Sequence, residues 1–233
     1  MMACQLPLAL PYPSEQCFET YLNPRHGLIA LLTAVAEGRL SEWLYLVGAS
    51  STGKTHLAIA LCSVAQRAGR HVAYIPLHRV AGSVAAVFDG LENADLVIID
   101  ALDAMAGQSC DEIALFEFHN RARAHGTTVV YCARVAPDRL VVNLADLRSR
   151  LAQCSQVALA PLDDSTRAAV LRHRAQRRGL LLEPAAIDWL LIHSGRELAP
   201  LIELLDRLDR AALAAQRRIT LPFLRRQLKS WTE

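Results

Sequence analysis

Apolar and polar residues along the first two thirds of the chain predict strands and helices in alternation. Short apolar runs typical of buried strands occur at 43–47, 70–76, 95–100, 127–132 and 156–159. Segments with helical spacing of apolar residues occur at 25–37, 56–68, 80–91, 110–125 and 144–151. Alternating strands and helices indicate a parallel sheet covered on both faces. We therefore predict an α/β fold with a five-stranded parallel sheet.

The pattern changes after Pro161, where no strand-like run occurs. Helices are predicted at about 163–178, 184–193 and 197–215, with a short one after residue 222. The chain is thus expected to contain an extended N-terminal segment (1–17), an α/β domain (18–160) and a small all-helical domain (161–233).

A phosphate-binding motif lies between the first predicted strand and its helix. Residues 48–55 read Gly-Ala-Ser-Ser-Thr-Gly-Lys-Thr, which is a P-loop with both flanking elements in place. Its glycines let backbone N–H groups face phosphate oxygens, and the helix N-terminus adds partial positive charge. Lys54 is expected to reach the β- and γ-phosphates and the Thr55 hydroxyl to hold Mg²⁺. The further predicted nucleotide contacts are Gly48, Ser51, Thr52, Gly53 and His56.

A second motif is the apolar run 96–99 followed by Asp100, which fits a Walker B strand. Asp100 is predicted to hold Mg²⁺ opposite Thr55, because the two motifs meet at the carboxyl edge of the sheet. The next residue is Ala101, so no acid adjacent to Asp100 can polarise an attacking water. The next acid is Asp103, which is interpreted either as a solvated loop residue or as the base that polarises the water. We expect tight nucleotide binding with weak or absent hydrolysis by the chain alone.

Composition narrows the class of protein. The 233 residues are 52% hydrophobic, which excludes a largely disordered chain, and the net charge of +2 neither favours nor opposes a nucleic-acid partner. Six scattered cysteines without a Cys-x-x-Cys pair are typical of reduced thiols in a cytosolic protein. No apolar run reaches membrane-spanning length, and the N-terminus is a poor signal peptide. We therefore expect a cytoplasmic protein without membrane contact.

The first 17 residues are predicted to be extended, because prolines at 7, 11 and 13 forbid a helix. Residues 5–10 read Gln-Leu-Pro-Leu-Ala-Leu, in which apolar residues alternate after a glutamine. Residue types alone leave three interpretations open: an unstructured terminus, a strap lying on the domain, and a linear peptide that docks in another protein.

Together these motifs resemble the DnaA-related AAA+ family, and within it the Hda group of replication regulators. The resemblance runs from about residue 17 to the end, and it also rests on the Arg-rich segment 146–151 and on Gly-Arg-Glu-Leu at 195–198. It implies an arginine finger at Arg150, with Arg148 as the competitor, and a sensor 2 role for Arg196. The N-terminal hexapeptide is similar to the clamp-binding peptide of the Hda group, which implies clamp contacts at Gln5, Leu6, Leu8 and Leu10.

The resemblance also implies a function. The expected protein is a negative regulator of DNA replication initiation that binds the DNA-loaded β sliding clamp of DNA polymerase III. There it stimulates hydrolysis of DnaA-bound ATP through an arginine finger supplied in trans. Its own ligand is then expected to be ADP or another nucleoside diphosphate, with ATP as the alternative, together with Mg²⁺.

Other functions remain open. They are a self-sufficient AAA+ ATPase, such as a helicase loader or remodelling motor, and a non-catalytic nucleotide-dependent scaffold. A homodimer and a monomer are both compatible with the sequence. We expect no base-specific DNA contact, because nothing outside the helical domain resembles a recognition helix.

The resemblance raises three questions about the surroundings of the nucleotide. Residues 18, 21 and 22 lie where the family lines its base pocket, but ordinary core packing is the alternative. Arg134 is the only candidate for the sensor 1 position. The basic helix face at 172, 174, 177 and 178 is expected to be solvated.

Overall fold

The computed structural model describes residues 15–22, 25–80, 82–177, 179–180, 182–193, 201, 204–205 and 207. Within them, five parallel strands form one sheet in the order β2-β3-β4-β1-β5. Their bounds are β1 (Leu44–Val47), β2 (Val72–Pro76), β3 (Leu96–Asp100), β4 (Thr128–Ala133) and β5 (Ser155–Ala158). The predicted five-stranded parallel sheet is confirmed, and each strand end lies within two residues of its predicted position.

Seven α-helices occur in the described ranges: α1 (Leu28–Ala36), α2 (Lys54–Arg67), α3 (Val84–Phe88), α4 (Ser109–His125), α5 (Ala145–Ala152), α6 (Asp164–Arg177) and α7 (Pro184–His193). Two predicted helices are wrong in extent. The first begins at Leu28 rather than Arg25, because residues 26–27 form a turn. The second covers 84–88 rather than 80–91, because residues 77–79 and 91–93 form separate 3₁₀ turns.

Helices cover both faces of the sheet, as the alternation of elements predicts. Successive strand residues point to opposite faces. On one face Tyr45 and Tyr131 pack with α3, α4 and α5, and on the other Leu46 and Ile98 pack with α1 and α2. Each fully buried large apolar side chain contributes about 1.5–3 kcal/mol of stabilisation. This packing holds the carboxyl ends of β1, β3 and β4 at one edge of the sheet, where ligands bind in folds of this type.

A third apolar cluster joins α6 to α7 and consists of Leu171, Ile187, Leu190 and Leu201. The third predicted C-terminal helix lies mostly outside the described residues, although 201, 204, 205 and 207 are helical. The predicted boundaries at 17 and 160 stay predictions. Across the part of the chain that is described, no helix has the length and apolar character needed to cross a membrane.

Candidate nucleotide-binding site

A cleft of about 450 Å³ opens at the carboxyl edge of the sheet, a volume within the usual range for small-molecule sites. Its floor contains residues 50–56, Asp100 and Asp103. Its rim contains side chains of residues 15–22, which we call the strap, together with Val170 and Arg174 of α6. Nearly all the sequence-predicted nucleotide contacts that are described therefore line one cleft, and Gly48 lies just before them.

The P-loop is closely packed around its lysine. Lys54 Nζ donates hydrogen bonds to the carbonyl oxygens of Gly48, at 2.5 Å, and Ala49, at 2.8 Å. Burial lowers the pKa of Lys54 below its usual value. Thr52 Oγ1 donates to the same Ala49 oxygen at 3.0 Å. The lysine and the loop backbone thus form one connected unit.

Neighbouring atoms lie so close to both glycines of the P-loop that a side chain at either position would collide with them. A Cβ on Gly48 would lie 2.7 Å from Thr52 Oγ1 and 2.9 Å from the Leu159 carbonyl oxygen. Gly53 has a φ of 89°, and a Cβ there would lie 2.6 Å from the Tyr21 ring. A side chain at either position would therefore press on Thr52 and the Leu159 backbone, or on the Tyr21 ring.

Asp100 is the most constrained acid of the cleft floor. Its side chain is buried, and its Oδ2 accepts hydrogen bonds from Thr55 Oγ1 at 2.7 Å and from the Tyr74 hydroxyl at 2.9 Å. The N–H of Ala101 donates to Oδ1 at 2.9 Å. Burial, and then the nearby Asp100 carboxylate, raise the pKa of Tyr74, which keeps its hydroxyl as a donor. Sequence reasoning missed Tyr74, because its role depends on β2 lying beside β3.

Backbone strain is concentrated in the same place. Among the described residues, Ser51 and Ala101 are the non-glycine residues with positive φ, at 64° and 59°. Both line the cleft. Such conformations cost about 1–3 kcal/mol each and cluster at ligand sites.

Asp103 does not behave as a solvated loop acid, so that interpretation is wrong. It is half-buried in the cleft, and its two carboxylate oxygens accept the Arg134 N–H at 2.9 and 3.1 Å. This contact ties the segment after β3 to the end of β4. The Arg134 side chain is exposed at the cleft.

The three strap residues proposed for the base pocket lie in two different environments. Phe18 is buried in the core, whereas Tyr21 and Leu22 line the cleft. Tyr21 donates its hydroxyl to the Thr52 carbonyl oxygen at 3.1 Å. His56 Nε2 lies 2.8 Å from the Cys17 carbonyl oxygen, and burial lowers the pKa of this imidazole. The strap is thereby fastened to the P-loop and to α2.

The prediction that the basic face of α6 is solvated is correct only in part. Arg172 and Arg177 are exposed, but the Arg174 side chain is 15% exposed and lines the cleft. Its Nη1 lies 3.7 Å from Glu15 Oε2, which connects α6 to the strap. Arg178 lies outside the described residues.

The predicted finger residues lie away from the cleft. Arg148 and Arg150 are both exposed on α5, and neither is among the described residues that line the cleft. Arg148 Nη1 lies 3.5 Å from the Val142 carbonyl oxygen. The other predicted site residues lie outside the described residues: Arg196, Gln5, Leu6, Leu8 and Leu10.

Solved structures with the same architecture include three AAA+ proteins. Domain III of the replication initiation protein DnaA from Thermotoga maritima is 18% identical, with 95% of this chain and 98% of that chain covered and a TM-score of 0.79. AMPPCP-bound DnaA from Aquifex aeolicus is 21% identical, with 84% and 67% covered and a TM-score of 0.66. The Holliday junction branch migration motor RuvB from Thermotoga maritima is 19% identical, with 87% and 66% covered and a TM-score of 0.62. At these identities the likeness establishes the fold alone.

Two family models match the sequence itself. The model of the IstB-like ATP binding protein matches residues 16–133, just over half of the 233-residue chain. The model of the Hda lid domain matches residues 164–228, which include α6 and α7. The first match covers the cleft floor and the second covers α6 at its rim. The chain thus belongs to the family of IstB-like ATP-binding proteins, and with its lid domain it is a DnaA-related AAA+ protein close to Hda.

Proposed function

We propose that this protein is a nucleotide-bound AAA+ adaptor that restrains replication initiation by stimulating hydrolysis of DnaA-bound ATP. The observation that carries the proposal is a cleft equipped for binding but poorly equipped for turnover. Lys54, Thr55 and Asp100 meet in it, yet the residue after Asp100 is Ala101, whose N–H is bonded back to the Asp100 carboxylate. The match to the Hda lid domain supports the regulatory role.

The resident ligand in this proposal is ADP or another nucleoside diphosphate. In this proposal the phosphate oxygens are bound by backbone N–H groups of the P-loop, with the Lys54 ammonium and the N-terminus of α2 beside them. Thr55 Oγ1 and Asp100 Oδ2 lie 2.7 Å apart and offer the oxygen ligands that Mg²⁺ prefers. Bound Mg²⁺ would neutralise phosphate charge, and these two residues would hold it. The strap and α6 would then enclose the nucleoside.

The activity towards DnaA depends on an arginine supplied from outside this protein's own cleft. Arg150 is exposed on α5, as a residue acting on a partner must be. Its guanidinium is always charged and can stabilise the transferring phosphoryl group in the partner, an effect worth about 10³–10⁵ in rate in well-studied cases. Arg148 is turned towards the Val142 carbonyl oxygen, which favours Arg150 as the finger.

Docking on the clamp is assigned in this proposal to Gln5, Leu6, Leu8 and Leu10, which precede the strap in sequence. Binding of this peptide to a DNA-loaded clamp would raise the effective concentration of Arg150 near DnaA without new contacts at the reacting atoms. Deletion of residues 1–10 should abolish clamp binding in a pull-down, and stimulation should return only at high protein concentration. Intact clamp binding by the deletion variant would refute the docking assignment.

The direct test measures phosphate release from ATP-loaded DnaA in the presence of this protein, clamp and DNA. We expect Arg150→Ala to return hydrolysis close to the rate of DnaA alone, because the finger supplies transition-state charge. Arg139→Ala is the matched control, since Arg139 is exposed in the segment before α5 and carries the same charge. Stimulation that survives in the Arg150 variant would show that the finger is assigned to the wrong residue.

A self-sufficient ATPase is the second candidate, and the position of Asp103 favours it. This acid is half-buried in the cleft and is held by Arg134, so it could orient a water in place of an acid at position 101. Turnover by the purified chain alone decides between the two functions. Brisk hydrolysis that Asp103→Asn abolishes would favour the motor, and slow hydrolysis unaffected by this change would favour the adaptor.

A further inference from the structure

Glu112, near the start of α4, has a fully buried side chain that contacts three backbone amides of two other segments. Its Oε1 accepts the Gly107 N–H at 2.8 Å. Its Oε2 accepts the N–H groups of Asn143, at 2.8 Å, and Leu144, at 2.9 Å. Hydrogen bonds to a charged acceptor are stronger than those between neutral groups, and a buried carboxylate without them would be strongly destabilising.

Two of these amides form the entry to α5. Leu144 is the residue immediately before the helix, and its apolar side chain makes no capping hydrogen bond. Glu112 therefore holds the start of α5 from a neighbouring helix, where a capping side chain would ordinarily hold it from within. The Asn143 side chain strengthens the junction by donating to the Gly107 carbonyl oxygen at 3.3 Å.

The position of the rest of α5 depends on these first contacts and on the packing of its apolar side chains. Leu147 and Leu151 are fully buried against the core, so one face of the helix is fixed by packing. Apolar packing is non-directional, whereas the two amides bonded to one carboxylate oxygen add directed contacts at a defined point of the backbone, just before the first turn of α5. The exposed Arg150 lies at the side of this buried face, one residue before Leu151 on the same short helix.

We propose that Glu112 is a positioning residue for the arginine finger: it sets the place of Arg150 by holding the backbone at the start of α5. This inference rests on the proposed function, because it assumes that Arg150 acts on DnaA. A shift of about 1 Å in a catalytic group can cost about 100-fold in rate. Glu112 thus acts on the reaction through the backbone and makes no contact with the reacting atoms.

Asp111 provides a matched control from the same helical turn. Its side chain is also buried, and its Oδ2 accepts the N–H of Gly82 at 2.8 Å. Gly82 precedes α3, so this carboxylate ties α4 to a different segment of the same face of the sheet. Neutralising Asp111 removes a buried charge–amide contact of similar kind without touching the entry to α5.

The experiment compares Glu112→Gln with Asp111→Asn in the DnaA hydrolysis assay, each alone and combined with Arg150→Lys, which keeps a charge and with it a measurable part of the stimulation. We expect Glu112→Gln to reduce stimulation by about 10- to 100-fold and Asp111→Asn to change it by less than about threefold. In the Arg150→Lys background, Glu112→Gln should cause a smaller loss than in the unaltered protein, because residues that act through one group are not additive. Affinity for ADP should stay within about twofold of the unaltered protein in all these variants.

Hydrogen exchange of the same variants measures the structural effect separately from the activity. Hydrogen exchange of the Asn143 and Leu144 amides should accelerate in Glu112→Gln and stay unchanged in Asp111→Asn. Glu112→Asp, which keeps the charge but shortens the reach, should also accelerate exchange and reduce stimulation, and it serves if the glutamine variant does not fold.

The outcomes separate this inference from the proposed function. Equal losses in the Glu112 and Asp111 variants, or an undiminished loss from Glu112→Gln in the Arg150→Lys background, would overturn the positioning role while leaving the finger in place. Unchanged stimulation in Arg150→Ala would remove the finger itself, and the inference would fall with it.

Discussion

The floor and the rim of the cleft are held together in different ways. On the floor, Asp100 is buried and bonded to Thr55 and Tyr74 at 2.7 and 2.9 Å. At the rim, the strap is joined to α6 by the Glu15–Arg174 pair at 3.7 Å. A partly exposed ion pair of this length contributes about 0–1 kcal/mol. The floor is therefore fixed by short hydrogen bonds in a buried setting, whereas the described contacts between the strap and α6 are longer and more exposed.

This difference suggests that the floor and the rim contribute to nucleotide binding in different ways. Groups on the floor should determine whether a nucleotide binds, because they supply charge and directed donors in a buried setting. Groups at the rim should adjust affinity by small amounts, because they change how well the strap and lid close over the ligand. Four predictions test this difference, in order of decreasing effect.

Lys54→Ala should weaken ADP binding by about 100-fold or more, because it removes a half-buried cation beside the phosphate-binding loop. The same change frees the Gly48 and Ala49 carbonyl oxygens and loosens the loop. Isothermal titration calorimetry measures the effect, and Arg67→Ala at the far end of α2 is the control. Affinity within a few-fold of the unaltered protein would contradict a floor that determines binding.

Asp100→Asn should abolish most of the gain in ADP affinity that Mg²⁺ provides, a loss of about 10- to 100-fold in metal affinity. Asparagine keeps the shape of the side chain but loses the charge that the metal requires. Titrations with and without Mg²⁺ give the comparison, with the exposed Asp89→Asn as control. The same Mg²⁺ dependence in both variants would rule out Asp100 as a metal-holding residue.

Arg174→Met should weaken ADP binding by about fivefold, because it removes a positive charge from the rim while keeping an apolar stem of similar length. Arg172→Met, on the exposed side of the same helix, should leave affinity unchanged. The difference should shrink at high salt, since rim charges are screened. Equal affinities of the two variants at low salt would mean that α6 contributes no charge to the ligand.

Acidification should loosen the strap by a small amount. Burial lowers the pKa of His56 from 6.5, so below about pH 6.5 the open strap binds a proton more readily than the docked strap. ADP affinity should therefore fall two- to threefold more between pH 7.5 and 5.5 than in His56→Gln, which keeps a donor to the Cys17 carbonyl oxygen. Identical pH dependence in the two proteins would exclude His56 as the group responsible.

Most of the floor could be predicted from the sequence, whereas the rim could be predicted only at Tyr21 and Leu22, for a physical reason. A P-loop specifies its own strand, turn and helix, and a parallel sheet brings Asp100 to the same edge, so local residues predict where Thr55 and Asp100 meet. Tyr74 was missed because its contact depends on the order of the strands. The cleft-facing position of Arg174 was missed because neighbouring arginines on a helix look alike until the packing of α6 against the strap is known.

The most direct test of the account is calorimetric titration of the purified chain with ADP and Mg²⁺. The account predicts saturable binding of one ADP per chain, abolished by Lys54→Ala and retained in Arg67→Ala. Absence of saturable binding by the folded, unaltered protein at millimolar ADP would contradict it, because no ligand would then occupy the cleft on which the adaptor function depends.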